Sequence, residues 1–402
     1  MPETTLWNRR FIFLLLAQAG FGFAHSSFLM LPKFLATELD AGPDEIGMVV
    51  AVSAASVVLF LIPAGSMVDQ HGRKHFLIAG TLLMAVSSAG YVAVHEIGVY
   101  LYILRLLQSL AFAYASTAGA ALCIDAAPQD RLGQAIGLFG LTYVVMGAFA
   151  PATVESIVAV HGWNTAFLIA AGAALVCGFL CVFIREEKID RDADTFTPML
   201  EIVRSPEMLR AGLVIGLLGI AFGCAFNFYQ PYALSLGIVE LRDFFIGTSV
   251  SAATCRLFLG PFIDRIGLRR VSLMSLSLYT VVIFSMTWLD DFGLLPLGLA
   301  MGVAHGLFYP AYTALALTDC PTRERGRRMA TIQGGLNIGI ATSGVVLGWI
   351  AAHWGYPVIF QLSSATLVVA GLLIAFEPRD VEGDSSIGPA HSTVVAEPTR
   401  VR

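Results

Sequence analysis

The chain has 402 residues, 56% of them hydrophobic and only 13% charged, where soluble proteins carry about 25% charged residues. So little charge cannot solvate the surface of a globular fold of this length, so an ordinary soluble domain is excluded and much of the surface must face lipid. The formal net charge of −5 decides nothing by itself, because membrane orientation follows where Lys and Arg lie rather than the balance.

A bilayer core of roughly 30 Å takes about 20 apolar residues per helix. Runs of that size fall near 11–36, 45–68, 76–95, 98–124, 134–158, 164–184, 210–236, 244–263, 271–289, 294–317, 330–352 and 356–376. The expected fold is an all-α membrane protein of twelve transmembrane helices in two six-helix bundles related by pseudo-twofold symmetry. The N-terminal bundle takes 1–184 and the C-terminal bundle 210–377, with a charged linker at 185–209 and a polar, disordered tail at 378–402. The first run is too long for the core of a secretory signal and has no cleavage site, so no signal peptide is expected. Of the 24 basic residues, Lys33 and Arg242 fall on one side, at or beyond span ends, and Arg105 and Arg256 fall within spans; the rest lie on the other side. This bias predicts an inner or plasma membrane protein with both termini in the cytoplasm. The cysteines lie in or beside apolar runs and read as small core residues, with no disulfide framework or metal-ligand spacing.

The halves repeat. Gly65-Ser-Met-Val-Asp69-Gln-His-Gly72-Arg73-Lys74 returns as Gly260-Pro-Phe-Ile-Asp264-Arg265-Ile-Gly267-Leu-Arg269-Arg270, each copy between two apolar runs. Asp125 to Arg131 parallels Asp319 to Arg325, and Gly162-Trp163 to Phe167 parallels Gly355-Tyr356 to Phe360. Parallel membrane repeats of this kind are a transporter architecture. Small residues recur at helical spacing in Gly298, Gly302 and Gly306 and in Gly335, Gly339, Gly344 and Gly348. Such stripes allow close helix approach, either as static packing or as a moving seam.

The stretch 65–74 resembles the signature loop between helices two and three of the major facilitator superfamily, and 260–270 resembles its second copy. Gln70 departs from the basic residue usual there. The resemblance covers about residues 8–378. It implies a cytoplasmic gate built from Asp69, Gly72, Arg73, Lys74, Asp125, Arg131, Asp264, Arg265 and Arg269, with Asp69 paired to Arg73 and facing the start of the eleventh helix. Leu101-x-x-x-Arg105-x-x-Gln108-Ser109 is similar to a fourth-span motif of proton-coupled members, with Ser109 in place of glycine. The fifth span resembles the antiporter motif incompletely, with Gly140, Gly147 and Ala150-Pro151, where Ala150 replaces the usual glycine.

The candidate substrate and proton pathway follows from polar residues inside apolar runs. An intramembrane arginine is functional by default because it must be paired, hydrated or turned to a cavity. Arg105 is such a residue, with Gln108 on its face, and Glu155 is the carboxylate within reach in the outer half; a fixed Arg105–Glu155 bridge is the structural alternative. Arginine cannot itself release a proton near neutral pH, so Arg105 would either modulate Glu155 or His25 in proton coupling or hold substrate, as an organic anion in the symport reading. His25 and His305 lie near mid-membrane, either as hydrogen-bonded structural residues or as proton or substrate contacts. Tyr143, Asn227, Gln230, Tyr309 and Asn337, with Gln333, supply neutral hydrogen-bonding groups. Arg256 belongs either to the inner gate or to the cavity. With no carboxylate at mid-membrane, the pocket should prefer neutral, amphiphilic or anionic molecules. No Walker loop, dinucleotide fingerprint, nucleophile elbow or metal cluster is present, so neither an enzyme nor a cofactor is expected. The expectation is a monomeric secondary transporter of a small molecule, with the bilayer and protons as its other partners and no nucleic acid. Proton-coupled export by antiport comes first and proton-coupled uptake of an organic anion by symport second. A non-transporting membrane scaffold or sensor is the reading from another class.

Overall fold

The computed structural model describes residues 6–128, 131–184, 186, 199–259, 263, 265–290, 293–318, 320 and 324–376; the side chains of Ser66, Asp69, Met199, Leu200 and Arg325 lie outside that description. Among the described residues all regular structure is helical. The first half consists of α1 (Arg9–Glu38), α2 (Pro43–His71), α3 (Arg73–Ala93), α4 (Val99–Ala126), α5 (132–161) and α6 (163–182). The second consists of α7 (Pro206–Ser235), α8 (Arg242–Phe258), α9 (Leu268–Trp288), α10 (Leu294–Ala316), α11 (Arg325–Thr342, continued to Trp354) and α12 (Tyr356–Ala375). A short helix, Met199–Arg204, precedes α7 within the predicted linker.

Ten described helical runs are long and apolar enough to cross a bilayer. The twelve expected spans are recovered from local chemistry. The 51-residue run Leu132–Val182 is broken at Gly162, whose φ of 77° suits a residue without a Cβ and divides it into α5 and α6. Helix α8 has 17 described residues, and residues 260–262 of its predicted span lie outside the description. Leu59, Ile62, Phe179 and Val281 stand between 61% and 66% exposed, an apolar exterior that only lipid can cover.

The duplication is visible in the backbone. Gly72 and Gly267 precede α3 and α9 with φ of 99° and 93°, and Gly162 and Gly355 precede α6 and α12 with φ of 77° and 83°. Lys74 donates to the carbonyl of Val182 at the end of α6 (2.6 Å). Arg269, the matching residue of the second copy, donates to Ile374 and Ala375 at the end of α12 (both 2.8 Å). A cation on the open carbonyls of a helix C-terminus is favoured by both hydrogen bonding and the helix dipole.

The face carrying the starts of α1, α3, α7 and α9 holds most of the basic residues and is called here the basic face; the other is the distal face. The halves meet through α2 against α11 and α5 against α8. Exchanging the halves turns α2 into α8 and α11 into α5, so these two contacts are one contact repeated. The distal part of α1 also packs on α7. Leu31, Phe34, Leu35, Ile46 and Val49 of the first half join the C-terminal half in one continuous buried cluster. Phe11, Leu14, Leu77, Leu122 and Phe139, toward the basic face, form a separate cluster. The hydrophobic seal between the halves thus lies on the distal side.

Candidate functional site

Helix α1 is interrupted by a 3₁₀ turn at Phe28–Met30, just before Pro32. Proline lacks the N–H that would continue the helical ladder, so carbonyls are freed at the break. The carbonyl of Leu29 accepts a bond from Gln230 Nε2 of α7 (2.7 Å), which also bonds Phe226 of its own helix (2.9 Å). Gln230 is fully buried and bridges the halves on the distal side.

One turn beyond the break, Lys33 reaches Glu155 near the distal end of α5, with Nζ 2.5 Å from Oε1. Both residues are 8% exposed. Lys33 Nζ also donates to the Val239 carbonyl (2.6 Å) in the α7–α8 connection. Glu155 Oε1 and Oε2 accept the Leu241 N–H (2.9 and 3.1 Å), and Oε2 accepts the Arg242 N–H (2.7 Å). The carboxylate therefore sits on the first N–H groups of α8, where a helix favours an anion. Glu155 is committed to Lys33 and α8, which overturns the Arg105–Glu155 bridge considered from the sequence. Lys33 was counted there only as a basic residue of the outer side. Its place inside the first apolar run was the available signal, since a buried ammonium needs a carboxylate and Glu155 was the one at its depth.

The other contact between the halves, α2 against α11, is a glycine seam. A Cβ on Gly47 of α2 would meet the carbonyl of Gly344 in α11, and one on Gly348 would lie 2.8 Å from the Pro43 carbonyl. Gly344 belongs to a π-helical stretch, Ser343–Leu347, a local widening often found where helices serve a function. The other glycines of the stripes pack within one half: Gly298, Gly302 and Gly306 against α8, and Gly335 and Gly339 against α7.

Deeper in the first half, Arg105 Nη1 donates to Gln108 Oε1 (2.9 Å), and the Tyr91 hydroxyl donates to the same oxygen (3.1 Å). Arg105 lies within electrostatic reach of His25. The Nδ1 of His25 is 2.8 Å from the Tyr143 hydroxyl, and its ring lies 4.7 Å from that of Phe112. The sequence-selected residues His25, Arg105, Gln108 and Tyr143 are thus neighbours, while Glu155 stands apart from them in the distal contact. In the second half His305 packs among Phe222, Tyr279 and Tyr309, at ring separations of 5.1, 6.1 and 5.8 Å. Tyr309 donates to Gln333 Oε1 (2.7 Å), and Arg256 lies within electrostatic reach of His305 and Tyr309. Asn227 and Asn337 bond carbonyls of their own helices, Gly223 (2.8 Å) and Gln333 (2.9 Å).

On the basic face, Arg73 is 6% exposed and donates to Asp125 and to the Ala121 carbonyl (3.3 Å) of α4. The Glu186 carboxylate caps α3 by accepting the N–H groups of Arg73 (2.7 Å) and Lys74 (3.1 Å). The sequence reading missed Glu186, because no spacing rule ties it to residues more than a hundred positions earlier. Arg131 occupies the position before the first turn of α5, with no side-chain bond to the helix N–H groups, and is exposed, as is Arg265. The Asp69 side chain and the whole of Asp264 lie outside the described residues, and so does the expected Asp69–Arg73 pairing.

The family model described as Major Facilitator Superfamily matches residues 12–254 and again 233–398. An uncharacterized MFS-type transporter of Methanocaldococcus jannaschii is 22% identical over 360 residues, covering 84% of this chain and 90% of its own. The staphylopine export protein of Staphylococcus aureus is 20% identical over 358 residues, covering 84% and 88%. The multi-drug resistance efflux pump PmrA of Streptococcus pneumoniae is 25% identical over 334 residues, covering 79% and 82%. Among solved structures, a mutant of the nucleoside transporter NupG superposes with a TM-score of 0.75 at 14% identity, over 92% of this chain and 99% of that one.

Proposed function

The chain belongs to the Major Facilitator Superfamily, and from that premise we propose that this membrane transporter exports a small neutral, amphiphilic or anionic organic molecule in exchange for protons. The observation that carries the reading is the contact between the halves on the distal side. Lys33 and Glu155 of one half hold the start of α8 in the other, and glycines bring α2 of the first half against α11 of the second. Contacts of this kind can part as units, which suits two bundles rocking about a site near the bilayer midplane. The distribution of Lys and Arg supports a cytoplasmic basic face. In this reading the distal face is external and sealed, and the site awaits its substrate from the cytoplasm. Export is supported by the likeness to the staphylopine export protein and the multi-drug efflux pump. Proton exchange is supported by the Arg105–Gln108 motif and the neighbouring His25–Tyr143 pair. With Glu155 held at the distal contact, His25 is the group in this cluster with a ring nitrogen that can take up and release a proton.

Transport into everted membrane vesicles tests the reading. A panel of neutral and anionic fluorescent solutes is offered with the vesicle interior acidified, then again after a protonophore. Accumulation that needs the acid interior and collapses with the protonophore is the expected result. Accumulation in right-side-out vesicles driven by external acid would overturn export in favour of symport.

A further inference from the structure

Within the spans two arginines lack a compensating carboxylate. Glu155 is taken by Lys33, and Asp125 by Arg73. Among the described residues neither Arg105 of α4 nor Arg256 of α8 makes an ion pair. A cation away from bulk water needs a counter-charge.

At Arg105 the shortage extends to hydrogen bonds. Gln108 Oε1 already accepts from two donors, Arg105 Nη1 and the Tyr91 hydroxyl. Turning the amide over would set its NH₂ against a guanidinium that can only donate, so the orientation is fixed by chemistry. Gln108 Nε2, on a side chain 4% exposed, is consequently left without an acceptor, and so is Arg105 Nε. The two orphan donors stand three residues apart on one helical face, one neutral and one cationic. Water would accept both bonds but would leave the positive charge uncompensated. A ligand oxygen bearing negative charge satisfies both needs. Phe112 lies four residues beyond Gln108 on that face, with the His25 ring 4.7 Å from its own, so an apolar surface adjoins the charged one.

Resting on the transport reading above, we infer that the transported molecule is an organic carboxylate. Its anionic oxygens accept from Arg105 Nε and Gln108 Nε2, and its hydrocarbon part lies against Phe112 and His25. The site narrows the substrate from neutral or amphiphilic compounds to amphiphilic monoanions. Arg256, equally without an ion pair in the other half, adds positive potential that favours the same class.

The test uses the full-length protein in detergent and matched probes that differ only in charge: benzoate against benzamide, and indole-3-acetate against indole-3-acetamide, with sodium chloride as the inorganic control. Melting temperature is followed against probe concentration. The expected result is stabilisation by the carboxylates at about tenfold or more lower concentration than by the amides, the usual worth of a charge-assisted hydrogen bond. That preference should shrink in Gln108→Leu, which keeps the arginine, and vanish in Arg105→Met. Arg105→Lys, which keeps the charge but loses the planar fork, should fall between them. Equal stabilisation by acids and amides, no response to any probe, or chloride acting as well as the organic acids would each overturn the assignment. Carboxylate-selective binding without pH-driven flux would sink the export reading and leave this site standing. Proton-driven export of the amides at equal affinity would do the reverse.

Discussion

Lys33 and Glu155 belong to the same half of the molecule, yet the other bonds leaving this pair run to the opposite half. Lys33 Nζ donates to Val239 and Glu155 accepts from Leu241 and Arg242. When the halves part, the lysine and carboxylate keep each other, and only backbone groups at the start of α8 are released to water. A buried charge left alone would make opening costly; a pair that travels together avoids this. Neutralising either member should disturb the seal. In Glu155→Gln or Lys33→Met, breaking the pair costs about 3–5 kcal/mol of the sealed form. A cysteine placed at Val49, which is buried on the distal side, should then react faster with an impermeant maleimide. The exchange Lys33→Glu with Glu155→Lys separates a lock from a simple ion pair. It restores the charges but puts an ammonium, which cannot accept, on the N–H groups of α8. It should label like the single variants. Labelling at the native rate would show that the pair alone, and not its docking to α8, holds the face shut.

The glycine contact predicts a division between two kinds of small-residue position. Gly47 meets Gly344 across the halves, whereas Gly302 meets Thr248 and Ser251 within one half. Overpacking at either site costs about 1–3 kcal/mol, but the cost falls on different equilibria. Gly47→Ala should raise maleimide labelling at the Val49 cysteine while changing the melting temperature little. Gly302→Ala should lower the melting temperature and leave that labelling rate unaltered relative to its own folded fraction. The same response from both substitutions would contradict the assignment of one seam to motion and the other to packing.

If His25 carries the exchanged proton, Tyr143 orients it. The 2.8 Å bond between the tyrosine hydroxyl and Nδ1 sets which ring nitrogen faces the pathway. His25→Gln should therefore keep the preference for carboxylates over amides in the melting assay, with binding of both weakened modestly by the lost ring contact, but lose accumulation driven by an acid interior by about a hundredfold or more, the range of a lost proton-transfer group. Tyr143→Phe should lower the flux less and shift its dependence on pH, with the melting temperature close to native. Full pH-driven transport in His25→Gln would remove histidine from the coupling step.

Much of this architecture was legible in the chain because the bilayer imposes length and repetition. Apolar runs, the twin Gly-x-x-x-Asp-x-x-Gly stretches and Gly162 with Gly355 encode the spans and the symmetry directly. The clustering of His25 with Arg105 was accessible only in outline, since depth in a helix says nothing of which faces meet. Glu155 shows the limit most clearly. Depth alone suggested Arg105 as its partner, but tertiary packing turned it toward Lys33 and the α8 N-terminus, contacts 122 and 86–87 positions away along the chain. The glycine stripes were equally ambiguous: identical spacing serves packing inside a half at Gly302 and contact between halves at Gly344.

The repeat itself yields a quantitative expectation at Lys74 and Arg269. Both sit near the start of a span, two residues after a positive-φ glycine, and both close the C-terminal carbonyls of the last helix in their half. Removing the charge in Lys74→Met or Arg269→Met forfeits a capping bond and a favourable dipole interaction, together about 0.5–2 kcal/mol. Because the two caps lie in different halves and share no partner, their effects on unfolding should add to within about 0.5 kcal/mol in the double variant. Arg269→Lys should recover more of the loss than Arg269→Gln, since the ammonium keeps the charge on the helix end. Chemical denaturation of the native protein and these variants in mixed micelles measures each term. A double variant much less stable than the sum of its parts would mean that the two halves unfold as one unit through these helix ends, rather than each holding its own final helix in place.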